Sequence, residues 1–191
     1  PTVAPVCSKG TFTPVDVVFA LDRSESFSVQ NRIGRSKVAN IEILGKIGDT
    51  GEKVGLVLFR KVVDLPQPLT TDKQAVYNLL VNVPEAEGTA IGDAIKIAAD
   101  EVLGPRHVPG HRPVLIVFSD GENTDGSDPL KQAAAAKAGG IRIFTVSSWE
   151  NVDKDLLRKL ASSSGDFYYT AGTHDMAESA RIIADRVRCG D

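Results

Sequence analysis

The sequence has few of the side chains that bind soft metals. Among its 191 residues are two cysteines and three histidines. Cys7 and Cys189 stand near opposite ends of the chain with no thiol between them, so a zinc site there lacks the further soft ligands that it needs. His107 and His111 have no acidic or thiol ligand beside them in sequence. We expect both histidines to be exposed loop residues and not metal ligands.

Long hydrophobic runs and a strong excess of charge are also absent. No apolar stretch approaches the roughly 20 residues that span a bilayer. The formal net charge is −3, which gives no reason to expect nucleic acid or an anionic membrane surface as a partner. We therefore expect no nucleic-acid binding and no direct membrane insertion. The first residues do not resemble a signal peptide, and we expect a mature or excised domain.

Signatures of catalysis are missing as well. The chain has no phosphate-binding Gly-x-x-x-x-Gly-Lys-Ser/Thr loop, no Gly-x-Gly-x-x-Gly turn and no Gly-x-Ser-x-Gly elbow. None of the three histidines can be assigned as a base to Ser24 or Ser26. We expect no enzymatic activity, and a metal-dependent hydrolase is a remote alternative.

The residues that are present suit one soluble domain. A length of 191 residues and an apolar content of 42% suffice for a single core. Residues 1–14 contain three prolines and few apolar side chains, which predicts an arm or linker before a domain at 15–191. Apolar strand-like runs alternate with amphipathic helical patterns along that domain. This alternation predicts an α/β fold with a doubly wound, Rossmann-like sheet.

One polar stretch stands at the end of the first predicted strand. Val15 to Leu21 is an apolar run, and Asp22-Arg23-Ser24-Glu25-Ser26 follows it. Alternate residues of an extended loop point the same way, so the side chains of Asp22, Ser24 and Ser26 can face one point. One carboxylate and two hydroxyls are hard oxygen donors, which suit Mg²⁺ or Mn²⁺ better than Zn²⁺. The alternative is a capped turn without a ligand.

Two later stretches favour the metal site over the simple turn. Thr89 follows Gly88 at the start of a predicted helix, and Asp120 follows the apolar strand Val114 to Ser119. Open α/β sheets bind their ligands at the carboxyl ends of the strands. Three oxygen-bearing loops at that edge predict one shared cation site.

The order Asp-x-Ser-x-Ser, Gly-Thr and Ser-Asp-Gly resembles the von Willebrand factor A domain, the family that includes the integrin inserted domain. The resemblance runs from about Val15 to Val187. It implies a six-stranded, mostly parallel sheet with one antiparallel edge strand and helices on both faces. It also implies a metal-ion-dependent adhesion site made by Asp22, Ser24, Ser26, Thr89 and Asp120.

The same resemblance implies a function in adhesion. In the family, an acidic side chain of a protein partner completes the coordination of the cation, which would be Mg²⁺, Mn²⁺ or Ca²⁺ here. The partner would then be an extracellular matrix or cell-surface protein with an exposed Asp or Glu. Candidates for the surrounding ligand-binding face are Arg23, Glu25, Glu122 and Trp149.

The two cysteines bear on location. Both ends of a doubly wound domain can emerge at one pole, which favours a Cys7–Cys189 disulfide over two free thiols. A disulfide predicts an oxidising compartment and hence a protein that is secreted or at the cell surface. An intracellular or structural assembly module with the same fold is the alternative.

Overall fold

The computed structural model describes residues 13–24, 32–47, 51–84, 87–147, 152–170 and 173–189. Only the backbone is described for residues 32–35 and 173–177. Most of the predicted arm at 1–14 therefore lies outside the described residues.

A six-stranded sheet forms the centre of the domain. The strands are β1 (Val15–Asp22), β2 (Lys53–Phe59), β3 (Val63–Thr70), β4 (Arg112–Phe118), β5 (Arg142–Ser147) and β6 (Phe167–Tyr169). Their order across the sheet is β3-β2-β1-β4-β5-β6. All neighbouring strands pair in parallel except β2 and β3, which are antiparallel. The predicted mostly parallel sheet with one antiparallel edge is thus confirmed.

Helices cover both faces of this sheet. Alternate side chains of β1 enter two separate apolar layers, since Val17 and Phe19 pack on one face and Val18 and Ala20 on the other. The helices are α1 (Arg32–Leu44), α2 (Lys73–Val81), α3 (Ile91–Val102), α4 (Pro129–Ala138), α5 (Lys154–Leu160) and α6 (Thr173–Cys189). The first layer is completed by α1, α2 and α6, and the second by α3, α4 and α5.

Aspartates begin three of these helices. Asp72, Asp128 and Asp153 each accept a hydrogen bond from a backbone N–H in the first turn of α2, α4 and α5. Aspartate is one of the preferred residues at this position, since its carboxylate satisfies an N–H that has no partner within the helix. Within the described part of the chain, no helix has the length and apolar character of a membrane span.

The antiparallel edge strand is longer than the sequence pattern predicts. Pro66 and Pro68 favour a short strand ending near Leu65, whereas β3 continues to Thr70. Its register against β2 shifts twice along the pair. Proline is tolerated in an edge strand because one side of the strand has no neighbour that needs its N–H.

The expectation that His107 and His111 are exposed is wrong. Their Nδ1 atoms lie 2.8 and 2.9 Å from the carboxylate of Asp16, and their side chains are only 20% and 12% exposed. Asp16 is fully buried at the start of β1 and also accepts hydrogen bonds from the backbone N–H groups of Lys53 and Val108. A buried carboxylate needs such donors, and this one draws the histidine loop onto the sheet.

Candidate metal centre

The two central strands bring Asp22 and Asp120 to the same edge of the sheet. Asp22 is the last residue of β1, and β4 pairs with β1 in parallel as far as Leu21 opposite Phe118. Asp120 follows two residues after the end of β4. Both aspartates are buried, at 0% and 1% exposure. The sheet therefore places two carboxylates beneath the surface at its carboxyl edge.

Hydrogen bonds fix the carboxylate of Asp22. Its Oδ1 accepts from the backbone N–H of Ser24 at 2.9 Å, and its Oδ2 accepts from the hydroxyl of Ser119 at 2.7 Å. The first bond closes a turn that keeps Ser24 buried beside the end of the strand. The chain thus leaves β1 in a bend that holds Ser24 close to Asp22.

The electrostatic environment of Asp22 disfavours its charge. Burial raises the pKa of this carboxyl to about 7, and the nearby charge of Asp120 also raises it, while hydrogen bonds from Ser24 and Ser119 act in the opposite direction. No lysine or arginine in the described residues forms an ion pair with Asp22. A divalent cation beside both aspartates would stabilise the ionised form.

The loop after Asp120 holds Thr89 in place. The N–H of Thr89 donates to the hydroxyl of Thr124, and the carbonyl of Thr89 accepts from the N–H groups of Thr124 and Asp125, all at 3.0 Å. Asn123 accepts from the N–H of Ile91 at 2.9 Å and so caps the start of α3. These bonds couple the segment that carries Thr89 to the segment that follows Asp120.

A close contact between backbones strengthens this coupling. Gly92 packs so tightly on the loop that an added Cβ would lie 2.0 Å from the carbonyl oxygen of Ser127. Asp93 accepts from both the N–H and the hydroxyl of Ser127 at 3.0 and 2.6 Å. Polar groups of the acidic loop 122–128 are therefore hydrogen-bonded to α3 and to the segment that carries Thr89.

The described part of the site offers two carboxylates and neutral oxygens. No three acidic, histidine or cysteine side chains of the described residues gather into a group that could hold a metal. Ser24 and Thr89 are buried at 1% and 3% exposure. Ser26, the remaining predicted donor, lies outside the described residues.

The candidates for the ligand-binding face differ in position. Arg23 extends toward the edge strand, where its Nη2 lies 2.6 Å from Oδ2 of Asp64, and its side chain is only 10% exposed. Little of it is open to a partner. Glu122 is exposed, and its N–H donates to Oδ1 of Asp120 at 3.1 Å. Glu25 and Trp149 lie outside the described residues.

The predicted disulfide is only half within the described residues. Cys189 is the last residue of α6, and Cys7 lies outside them. The Cys7–Cys189 bond therefore stays a prediction.

Comparison with known proteins identifies the family of this domain. A model of the von Willebrand factor type A domain matches residues 16–181. The chain belongs to the von Willebrand factor type A domain family. Cochlin from Homo sapiens is 30% identical to it over 190 residues, which are 96% of this chain and 33% of cochlin. Matrilin-1 from Gallus gallus is 32% identical over 177 residues, which are 86% of this chain and 34% of matrilin-1.

The chain thus spans about a third of the length of these curated relatives. Solved structures share its fold at low sequence identity. Proximal thread matrix protein 1 from the mussel byssus aligns with a TM-score of 0.82 at 19% identity, over 93% of this chain and 48% of that one. A further structure of that protein, with a zinc-occupied MIDAS motif, gives 0.78 at 19% identity with the same coverage of 93% and 48%.

Proposed function

We propose that this type A domain binds a divalent cation and uses it to hold an acidic side chain of a protein partner. The observation that carries the proposal is the pair of buried aspartates, Asp22 and Asp120. The charge of Asp120 adds to the cost of ionising Asp22, and no basic residue in the described part of the chain forms an ion pair with Asp22. The proposed donors are Asp22, Ser24, Ser26, Thr89 and Asp120.

The chemistry of these donors fits a hard cation. Carboxylates and hydroxyls are the ligands that Mg²⁺, Mn²⁺ and Ca²⁺ prefer. Two carboxylates balance the charge of one divalent ion, while neutral hydroxyls add none. Such a cation is not over-neutralised, so it keeps water at its open positions and attracts one further carboxylate. That carboxylate would come from the partner.

An adhesive role in the extracellular matrix is supported by the relatives. One of them, 27% identical over 151 residues, is the collagen alpha-4(VI) chain from Mus musculus. The predicted disulfide also favours an oxidising compartment. The alternative of a hydrolase gains no support, because His107 and His111 bind Asp16 at the amino end of β1, away from Ser24.

Calorimetric titration tests the cation site directly. Asp22→Asn and Asp120→Asn are expected to lose most affinity for Mg²⁺ and Mn²⁺ while the domain stays folded. Asp72→Asn is the matched control, since it removes one carboxylate at the exposed start of α2 and asparagine also caps helices. Unchanged Mg²⁺ and Mn²⁺ affinity in both site variants would reject the proposed donors.

The partner is tested with the same proteins. Wild-type protein immobilised on beads should capture proteins from an extracellular matrix extract in the presence of Mg²⁺, and chelator or Asp22→Asn should abolish the capture. Retention that persists in chelator would mean that the partner binds a surface without the cation.

A further inference from the structure

Charged residues stand at the carboxyl edge of three neighbouring strands, beside the candidate metal centre. Arg23 follows β1, Arg60 follows β2, and Asp64 is the second residue of β3. Because β3 runs antiparallel to β2, its first residues lie at this same edge. In the sheet β2 lies between β1 and β3. Arg60 therefore stands between Arg23 and Asp64.

The carboxylate of Asp64 is already paired with Arg23. Nη2 of Arg23 lies 2.6 Å from Oδ2 of Asp64, so the side chain of Arg23 passes over the end of β2 to reach it. The backbone N–H of Arg23 also donates to the carbonyl of Phe59, the residue before Arg60, at 3.0 Å. Two arginines thus occupy this part of the edge, and its carboxylate binds only one of them.

Arg60 has no counter-charge among the described residues. Its guanidinium forms no ion pair or hydrogen bond with them. Nε is buried without a partner, whereas the two Nη atoms reach solvent. A partly buried charge without a partner costs free energy, so such a group calls for an explanation.

The neighbouring charges do not balance Arg60. Lys61 is next in sequence, and its Nζ lies 3.9 Å from Oδ1 of Asp125, so these two charges offset each other. Glu87 is exposed and adds a negative charge at the rim. It does not approach Arg60 within ion-pair distance, since neither residue forms an ion pair in the described part of the chain.

Backbone hydrogen bonds fix Arg60 against the segment that carries Thr89. The carbonyl of Arg60 accepts from the N–H of Ala90 at 2.9 Å. The N–H of Lys61 donates to the carbonyl of Glu87 at 3.1 Å. Arg60 is therefore held at the rim of the candidate metal centre and not on an independent loop.

The turn at 60–62 is open to a partner. The side chain of Lys61 is 70% exposed, and Val62 is 52% exposed although it is apolar. A protein that places a carboxylate on the cation can therefore reach the Nη atoms of Arg60 without displacing any described part of the chain.

We propose that Arg60 binds a second acidic side chain of the partner, beside the one that coordinates the cation. This inference rests on the proposed cation-dependent function. A guanidinium binds a carboxylate through two parallel N–H donors, which is stronger than a neutral hydrogen bond. Arg60 is then the basic residue of the ligand-binding face, in place of Arg23, whose guanidinium binds Asp64.

The spacing of the strands indicates what the partner must look like. β1 and β2 lie about 4.8 Å apart, and Phe59, next to Arg60, pairs with Asp22 in the register of the sheet. In an extended partner segment, alternate residues point the same way and lie about 7 Å apart. Two acidic residues with one or three residues between them can therefore reach the cation and Arg60 together.

Synthetic peptides test this contact. Peptides of glycine and serine, anchored on a biosensor surface, carry one glutamate, or two glutamates with one or three residues between them. In Mg²⁺, the wild-type protein should bind the better two-glutamate peptide about tenfold more tightly than the one-glutamate peptide. Arg60→Gln should bring this ratio to about one. Lys159→Gln, which removes one positive charge from an exposed position in the last turn of α5, is the control and should keep the ratio.

The experiment separates this inference from the proposed function. If chelator or Asp22→Asn leaves the binding of the one-glutamate peptide intact, the proposed function is wrong. If that binding needs Mg²⁺ but the wild type does not prefer two glutamates, or Arg60→Gln keeps the preference, the inference about Arg60 alone is overturned. If neither kind of peptide binds in Mg²⁺, both proposals are rejected.

Mg²⁺ affinity and thermal melting report whether the variants fold. If Arg60→Gln melts early, Arg60→Lys provides the same comparison, because lysine keeps the charge but lacks the paired donors. The preference for two glutamates should then fall below that of the wild type. An unchanged ratio in Arg60→Lys would overturn the assignment of a paired contact to Arg60.

Discussion

The hydroxyl of Ser119 donates a 2.7 Å hydrogen bond to Oδ2 of Asp22, from the end of β4 to the end of β1. The hydroxyl oxygen of Ser119 also accepts a hydrogen bond from the N–H of Gly121, at 3.1 Å. Ser119 is fully buried and is not one of the proposed cation donors. It is a positioning residue, since it fixes the orientation of one carboxylate and the turn that carries the other.

Removing this hydroxyl is expected to weaken cation binding. Ser119→Ala removes the hydrogen bond to Oδ2 of Asp22, which leaves only the bond from Ser24 to orient the carboxylate, and it removes the acceptor for the N–H of Gly121. Loss of a partner that orients a metal ligand typically costs about 10- to 100-fold in affinity. Ser163→Ala, which removes a hydroxyl bound to Asp166 at the other pole, is the control. Equal Mg²⁺ affinity in both variants by calorimetry would show that Ser119 does not position the site.

Asp22 should make the stability of the metal-free protein depend on pH. Its pKa is raised to about 7 in the folded state, mainly by burial, from the 3.8 of a solvent-exposed aspartate. Between these values the folded state holds a proton that the unfolded state has released, so stability falls as pH rises from about 4 to 7. The full difference is on the order of a few kcal/mol. Asp22→Asn should lose this pH dependence. Bound Mg²⁺ should restore stability to the wild type at pH 7, because a divalent cation stabilises the ionised carboxylate.

Thermal melts of metal-free wild type and Asp22→Asn across that pH range provide the measurement. The difference between the two proteins isolates Asp22 from other titrating groups, such as Glu101, whose pKa is lowered by its hydrogen bond from Arg106. If the variant gains no stability over wild type as pH rises, then Asp22 is not electrostatically strained in the folded protein.

Position 92, where α3 contacts the acidic loop 122–128, should tolerate no side chain. Gly92→Ala would place a Cβ 2.0 Å from the carbonyl oxygen of Ser127, where backbone must move. We expect a loss of about 1–3 kcal/mol or more in unfolding free energy, with weaker Mg²⁺ binding because Thr89 shifts. Gly45→Ala is the control, since its new Cβ would be 3.4 Å from its nearest neighbour. Denaturant unfolding of both variants tests this; equal stability would contradict the tight contact.

The sequence predicted the elements of the fold better than their long-range polar contacts. Apolar runs identified β1 and β4, at Val15 to Leu21 and Val114 to Ser119. By contrast, His111 meets Asp16 across 95 positions of sequence, and local periodicity carries no signal for such a pair. The length of β3 was missed because its prolines have the same local signature in a loop and in an edge strand.

The candidate site was predictable to a similar degree. The polar residues after strands pointed to Asp22 and Asp120, whose shared edge follows from parallel topology. The roles of Ser119 and Thr124 were not predictable, because serine and threonine are common at strand ends and in turns without any such role. A buried hydroxyl reveals its function only through the groups that surround it.

Hydrogen bonds, in addition to the predicted disulfide, hold the carboxyl-terminal end of α6. Nη2 of Arg112 donates to the carbonyls of Val187 and Arg188 at 2.7 and 3.1 Å, and the N–H of Thr13 donates to the carbonyl of Arg188 at 3.4 Å. If Cys7 binds Cys189, then this helix end is tied by the disulfide and by Thr13 to the segment before β1, and by Arg112 to the start of β4. We expect a nearly fixed position of α6 in the oxidised protein.

Reduction, or Cys189→Ser, should then lower the unfolding free energy by about 2–5 kcal/mol and increase hydrogen exchange in the last turns of α6. Adding Arg112→Met to Cys189→Ser should increase exchange further, because Arg112 still binds the helix end in the single variant. Partner affinity is measured before and after reduction. Equal exchange and equal affinity in both redox states would reject the tether.

The prolines of β3 also bear on how copies of this domain can stand side by side. An open sheet edge invites a strand from another molecule, which leads to fibres. Pro66 and Pro68 remove N–H donors from one edge, and the shifted register bends it. The other edge, β6, has three residues. Copies of the domain that lie close together can therefore each keep their own sheet, without pairing edge to edge into cross-β aggregates.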